Sequence, residues 1–172
     1  YDEDGVLTMK EYDTDADGTV DIRETYFYGA DGHLEKKEQD NGDDGVVDTL
    51  YTYVWGDNDE LLQEQIDYDA NGVADWITTL TYNDNGDLET KEYDANADGI
   101  EDNRFTYIYD EDDNLVRVEE DLSVDGDLDS IKTYQYDQSG YLSIMEQDDD
   151  ADGVVDQRNE YSRDEYGNML LT

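Results

Sequence analysis

Six stretches of this chain place side-chain oxygens at alternate positions of a nine-residue segment: DTDADGTVD, DNGDDGVVD, DYDANGVAD, DANADGIED, DLSVDGDLD and DDDADGVVD. Carboxylates so close repel one another unless a cation lies between them. A hard cation such as Ca2+ takes six to eight oxygens at roughly 2.3–2.6 Å, and a tight loop can aim alternate residues at one centre. The sixth-position glycine permits the sharp turn, and the seventh residue offers its backbone carbonyl. The first loop would supply Asp13, Asp15, Asp17, the Thr19 carbonyl and Asp21. The second has Gly42 at its third position, leaving Asp40, Asp44, the Val46 carbonyl and Asp48. The third offers Asp67, Asp69, Asn71, the Val73 carbonyl and Asp75. Asp94, Asn96, Asp98, the Ile100 carbonyl and Asp102 form the fourth set. The fifth is Asp121, Ser123, Asp125, the Asp127 carbonyl and Asp129. The sixth is Asp148, Asp150, Asp152, the Val154 carbonyl and Asp156. The chemistry expected is about one calcium ion per loop, six in all; the bland alternative is a solvated acidic turn.

These loops recur with the period of the whole chain. Glycines fall at Gly18, Gly45, Gly72, Gly99, Gly126 and Gly153, 27 residues apart. A second series follows at Gly5, Gly32, Asp59, Gly86, Asp113, Gly140 and Gly167, each two residues before a Leu, or before Met169 in the last case. Such register marks a tandem repeat. Residues 1–172 read as one array of six 27-residue units plus the first ten residues of a seventh. Neither end resembles a polar cap, and neither a signal peptide nor an initiating Met opens the chain. The expectation is a segment of a longer array, or a protomer continued by its neighbours.

Within each unit the pattern has period two. In DTLYTYVW, Tyr51, Tyr53 and Trp55 alternate with Leu50, Thr52 and Val54, a strand signal. A DxxG turn follows, as in Asp137–Gly140, then a second strand such as YLSIMEQ. The predicted fold is all-β: tandem β-hairpins forming a continuous antiparallel sheet or a β-solenoid, with the acidic loops along one edge. One face would carry Tyr and Leu, the other a ladder of Thr25, Thr52, Thr79, Thr106 and Thr133. The Tyr face would be buried by winding or against another copy, because a wet aromatic sheet is sticky.

The loops resemble the DxDxDGxxD half of EF-hand, dockerin and thrombospondin type 3 calcium loops. They depart at position twelve, where the EF-hand Glu is matched only by Glu24; the other units have Tyr51, Thr78, Phe105, Lys132 and Asn159. The missing ligand could come from two residues before each loop: Glu11, Glu38, Glu92, Glu119 or Glu146, with Gln65 in the third. The hairpins, in TYNDNGDLETKEYD, FTYIYDEDDNL and KTYQYDQSGYL, resemble the YD repeats of bacterial RHS proteins and teneurins. That resemblance implies hairpins paired edge to edge in a coiling sheet. Choline-binding hairpins are a further analogy, but their Trp-rich motifs are absent.

Composition narrows the function. With 51 acidic residues against 10 basic ones, the formal charge is -41. That field repels phosphates, so nucleic acid and anionic membranes are not expected partners, and no apolar run is long enough to insert in a bilayer. Aromatics at 12% and no Pro argue against an acidic disordered tail. No Cys is present, so disulfides do not hold the fold. No nucleophile motif occurs, and His33 is the one His, placed in a polar strand and not repeated. The expected role is a calcium-stabilised structural protein outside the cell or at its surface, not an enzyme. It would serve as a filament subunit, adhesin or stalk segment, and its partners would be copies of itself. The alternatives are a glycan-binding module using the Tyr stripe, or a fragment of an RHS-like shell.

Overall fold

The computed structural model describes residues 1–163 and the backbone of Met169–Leu170; Gly167 and the Met169 side chain, which close the expected seventh turn, lie outside the described residues. The fold is all-β, as expected. Twelve strands follow the chain in one sheet: β1 (Met9–Tyr12), β2 (Ile22–Tyr28), β3 (Leu34–Asn41), β4 (Thr49–Trp55), β5 (Leu61–Asp67), β6 (Trp76–Tyr82), β7 (Leu88–Asp94), β8 (Asn103–Tyr109), β9 (Leu115–Asp121), β10 (Ser130–Tyr136), β11 (Leu142–Asp148) and β12 (Gln157–Glu160). A two-stranded pair, β13 (Ser162–Arg163) and β14 (Met169–Leu170), follows. The chain divides into two compact units, Tyr1–Leu80 with Tyr93–Ile100, and Thr81–Glu92 with Glu101–Thr172.

In the first unit, β2 pairs antiparallel with β3 and β4 with β5 across four-residue turns, Gly29–Gly32 and Gly56–Asp59. Each pair is interrupted by a bulge at its last aromatic step, Phe27/Tyr28 and Val54/Trp55. In the second unit β8–β9 and β10–β11 repeat the arrangement, with bulges at Ile108/Tyr109 and Gln135/Tyr136. The turn is separate from that bulge, whose extra residue in β10–β11 is Ser143. In Asp137–Gly140 the Gly140 amide donates to the Asp137 carbonyl (2.9 Å), and the Asp137 amide donates to the Tyr141 carbonyl (2.8 Å). Gly140 sits at φ 79°, a left-handed conformation that glycine adopts without steric cost. Asp59 (φ 68°) and Asp113 (φ 61°) hold the same conformation where the repeat substitutes Asp, a residue that tolerates it better than most.

The acidic loops join β1 to β2, β3 to β4 and β5 to β6 in the first unit. In the second they join β9 to β10 and β11 to β12. All these pairs are antiparallel. The ninth loop residue reopens the ladder, as where the Asp48 amide donates to the Gln39 carbonyl (2.8 Å).

Cross-strand register places Tyr51, Tyr53 and Trp55 on one face with Ile66, Glu64 and Leu61. Leu50 and Thr52 share the other with Asp67 and Gln65. The two-faced pattern is therefore as the alternation predicts. The packing is not. Among the described residues no apolar side chain is buried; the buried ones are Asp40, Thr49, Asp67, Thr78, Asp94, Asp121 and Asp148. The aromatics are half-covered by their sheet neighbours, with charged partners among them. Glu24 accepts from the Tyr12 and Tyr26 hydroxyls (2.8 and 2.6 Å), and Lys37 lies 3.7 Å from the centroid of the Tyr51 ring and 3.4 Å from Glu24.

Candidate metal centre

Each loop begins at the end of a strand, and its first aspartate organises it. Asp67 is 5% exposed. Its Oδ1 accepts the Asn71 amide (3.1 Å) and its Oδ2 the Gly72 amide (2.7 Å). Asp40 receives the Asp44 and Gly45 amides (3.1 and 2.8 Å), and Asp148 those of Asp152 and Gly153 (3.2 and 2.9 Å). Asp13, Asp94 and Asp121 do the same for Asp17 and Gly18, Asp98 and Gly99, and Asp125 and Gly126.

Two left-handed residues make this wrap. The sixth is always Gly, and the fourth is Ala16, Asp43, Ala70, Ala97, Val124 or Ala151, at φ between 47° and 61°. Left-handed backbone at a non-Gly residue is strained and persists where its surroundings fix it. Here it turns the fifth and sixth amides toward the first carboxylate.

The remaining side chains close the ring. In the third loop, Asp69 Oδ1 accepts the Asn71 amide (3.3 Å), Asn71 Oδ1 the Val73 amide (2.9 Å), and Asp75 Oδ2 the Tyr68 amide (2.8 Å). Asp13, Asp15 and Asp17 bring one carboxylate oxygen each within 4.8 Å of one another. So do Asp67, Asp69 and Asp75, and Asp148, Asp150 and Asp156. These three clusters could hold a metal ion. The fourth loop carries the same wrap through Asp94, Asn96 and Asp98, with Ile100 donating to Asp98 (2.9 Å); its ninth residue, Asp102, belongs to the second compact unit. In the fifth, Ser123 stands at the third position, Asp127 donates to Asp125 (3.0 Å), and Asp129 accepts from Leu122 (2.6 Å). In the second, Val46 donates to Asp44 (2.9 Å) and Asn41 to Asp48 (2.6 Å), but the third position is Gly42.

The electrostatics differ between loops. In the first, the Thr19 hydroxyl and amide hold Asp17 below the usual carboxylate range, and those of Thr14 do so for Asp21. Burial raises Asp67, but the Gly72 and Asn71 amides outweigh it and the net shift is downward. Asp150 goes the other way. The Asp152 amide stabilises its carboxylate, yet the crowding by Asp152, Asp156 and Asp148, with burial, pushes it above the ordinary value. An excess of negative charge is what a cation would relieve.

The glutamates suggested as extra ligands are each ion-paired to a neighbouring Arg or Lys. Glu11 pairs with Arg23 (2.8 Å), Glu92 with Arg104 (2.6 Å), Glu38 with Lys36 (2.8 Å), Glu119 with Arg117 (2.7 Å), and Glu146 with Arg158. Glu24, at position twelve, is occupied on the aromatic face. The arginine pairs had a sequence signal, since Glu11/Arg23, Glu92/Arg104 and Glu146/Arg158 share one offset of 12. His33 lies in the turn before β3, not in a strand; it stacks on Trp55 (centroids 4.7 Å apart) between Asp31 and Asp59, each at 3.3 Å.

No protein-family model matches the chain, and no curated protein does. Solved structures do. The crystal structure of TcdB2-TccC3 matches 89% of this chain with a TM-score of 0.68 at 16% identity. TcdB2-TccC3-TEV matches 87% with a TM-score of 0.67 at 16% identity. The chain spans 7% of the length of either. The likeness is one of fold, a tandem β-hairpin repeat architecture.

Proposed function

We propose that this chain is a calcium-stiffened length of RHS-like repeat sheet, a structural element of the cell exterior and not a catalyst. The observation that carries the reading is the loop geometry: a first aspartate clamped by two inward amides, with further side-chain oxygens gathered beside it in the Asp67, Asp69, Asp75 manner. A divalent ion at that point would tie the end of one strand to the start of the next. With no buried apolar core among the described residues, metal binding would supply folding free energy that the hydrophobic effect does not.

Extracellular calcium is millimolar, and loops of modest affinity stay filled there. The partners that suit such a sheet are further repeats of the same kind, joined edge to edge as in the fold it resembles. The test is circular dichroism and thermal melting in millimolar calcium and then in excess chelator. Cooperative melting and strand signal are expected with calcium, and their loss without it. A chelated protein with an unchanged melting midpoint, or Asp17→Ala and Asp152→Ala variants as stable as the parent in calcium, would refute the reading.

A further inference from the structure

The Asp40–Asp48 loop differs from its five counterparts at two adjacent positions. Its third residue is Gly42, where the others have Asp15, Asp69, Asn96, Ser123 and Asp150. Its fourth is Asp43, where the others have Ala or Val. Both Gly42 (φ 92°) and Asp43 (φ 51°) are left-handed. The Asp43 carboxylate has a partner already: Arg23 Nη1 lies 2.7 Å from Asp43 Oδ1, and Nη2 donates to Asp43 Oδ2 at 3.3 Å. The same guanidinium donates to Glu11 Oε1 from Nε (3.2 Å) and Nη2 (2.8 Å). Arg23 also stands directly across the β2–β3 ladder from Asp40, the residue that organises this loop.

We propose that Arg23 is the resident cation of this joint, and that the Asp40–Asp48 loop takes no divalent ion, so that the chain binds five calcium ions instead of six. The inference rests on the calcium reading of the other loops. An incoming ion would find one ligand missing at the third position and a permanent positive charge beside the ring. The guanidinium needs neither, because its charge lies against Asp43 Oδ1 (2.7 Å) while its N–H groups donate to Glu11 and to Asp43 Oδ2. The loop's backbone wrap is intact, with both amides on Asp40. This joint then keeps its order when calcium is withdrawn, while its neighbours open.

Calcium titration calorimetry on the whole chain and its variants reads the ion count. Asp17→Ala should lose one ion and Asp44→Ala none. The double variant Gly42→Asp with Asp43→Ala, which rewrites the loop in the pattern of the sixth, should gain one. An ion lost on Asp44→Ala, or none gained by the double variant, overturns the proposal. Hydrogen exchange on the unaltered protein in chelator gives a readout that needs no variant: amides of residues 40–48 should stay protected longer than those of 67–75. Equal or faster exchange overturns the proposal too. A parent chain that binds no calcium would instead refute the calcium reading as a whole, and this inference with it.

Discussion

The Tyr136 hydroxyl donates a hydrogen bond to the Leu115 carbonyl, 2.9 Å away and 21 residues earlier. Leu115 opens β9 just after its turn, and Tyr136 closes β10 just before the next, so the bond ties one hairpin's turn to the following unit. Tyr109 does the same to Leu88 (3.0 Å) in this unit of the fold, and Tyr28 to Leu7 (3.0 Å) in the other. Trp55 takes the place of Tyr in its repeat, and its indole N–H reaches the Leu34 carbonyl at 2.8 Å. The role requires only a donor, which is why an indole can fill it.

Removing that donor should cost more than removing a neighbouring hydroxyl. Tyr136→Phe leaves the Leu115 carbonyl without this partner, and a net loss of about 1 kcal/mol is expected. Chemical denaturation in calcium measures it. Tyr136→Phe and Tyr134→Phe remove the same atom from the same face, so equal losses would show that the inter-repeat bond adds nothing.

The turn glycine is a second test. A Cβ at Gly140 would meet no atom within 4 Å, so any cost of Gly140→Ala comes from its φ of 79°. About 1 kcal/mol of destabilisation is expected. Gly140→Asp should cost less, since the chain uses Asp at this position in Asp59 and Asp113. The order of the two melting midpoints decides the matter.

What the sequence revealed follows from what repeats in it. A 27-residue period shows the hairpins, and the alternation in Tyr51, Tyr53 and Trp55 shows their faces. The first, third, fifth and ninth loop positions were visible for the same reason. Less visible were features set by cross-strand register. Glu11 meets Arg23 only because β1 and β2 pair with those residues opposed. The left-handed fourth residue was hidden as well, since Ala16 and Ala70 carry no turn signal of their own. The expectation that the Tyr face is buried, by winding or against another copy, came from the stickiness of a wet aromatic sheet; within this chain no apolar side chain among the described residues is buried. The Tyr phenols find partners at the sheet surface, as Tyr26 does on Glu24.

Those phenols make the fold sensitive to alkali. Burial, with Glu64 and Tyr51 nearby, pushes Tyr53 up to about 12 from an ordinary 10.0. Tyr26 rises too, through burial and its bond to Glu24. A raised folded-state value means that the fold favours the protonated phenol. The resulting stability is fully present below the ordinary value near pH 10.0 and is lost as pH climbs through about 12. The melting midpoint in calcium should therefore fall across that interval, with phenolate absorbance appearing later than in the unfolded chain. Tyr53→Phe should flatten the fall; an unchanged slope would mean that Tyr53 does not contribute to it.

The two roles of loop aspartates can be separated in one unit. Asp67 holds the Asn71 and Gly72 amides (3.1 and 2.7 Å) and would also ligate the ion. Asp69 accepts one longer bond from Asn71 (3.3 Å) and would otherwise act as a ligand only. In chelator, Asp67→Ala should still lower the melting midpoint, because two inward amides lose their acceptor. Asp69→Ala should leave it unchanged or raise it, since one negative charge leaves a crowded ring without its cation. In millimolar calcium both should melt below the parent, Asp67→Ala the lower. The loss of the Asp69→Ala penalty on going from calcium to chelator is the discriminating measurement. If its effect is the same with and without calcium, Asp69 is an ordinary turn residue and the third loop holds no ion.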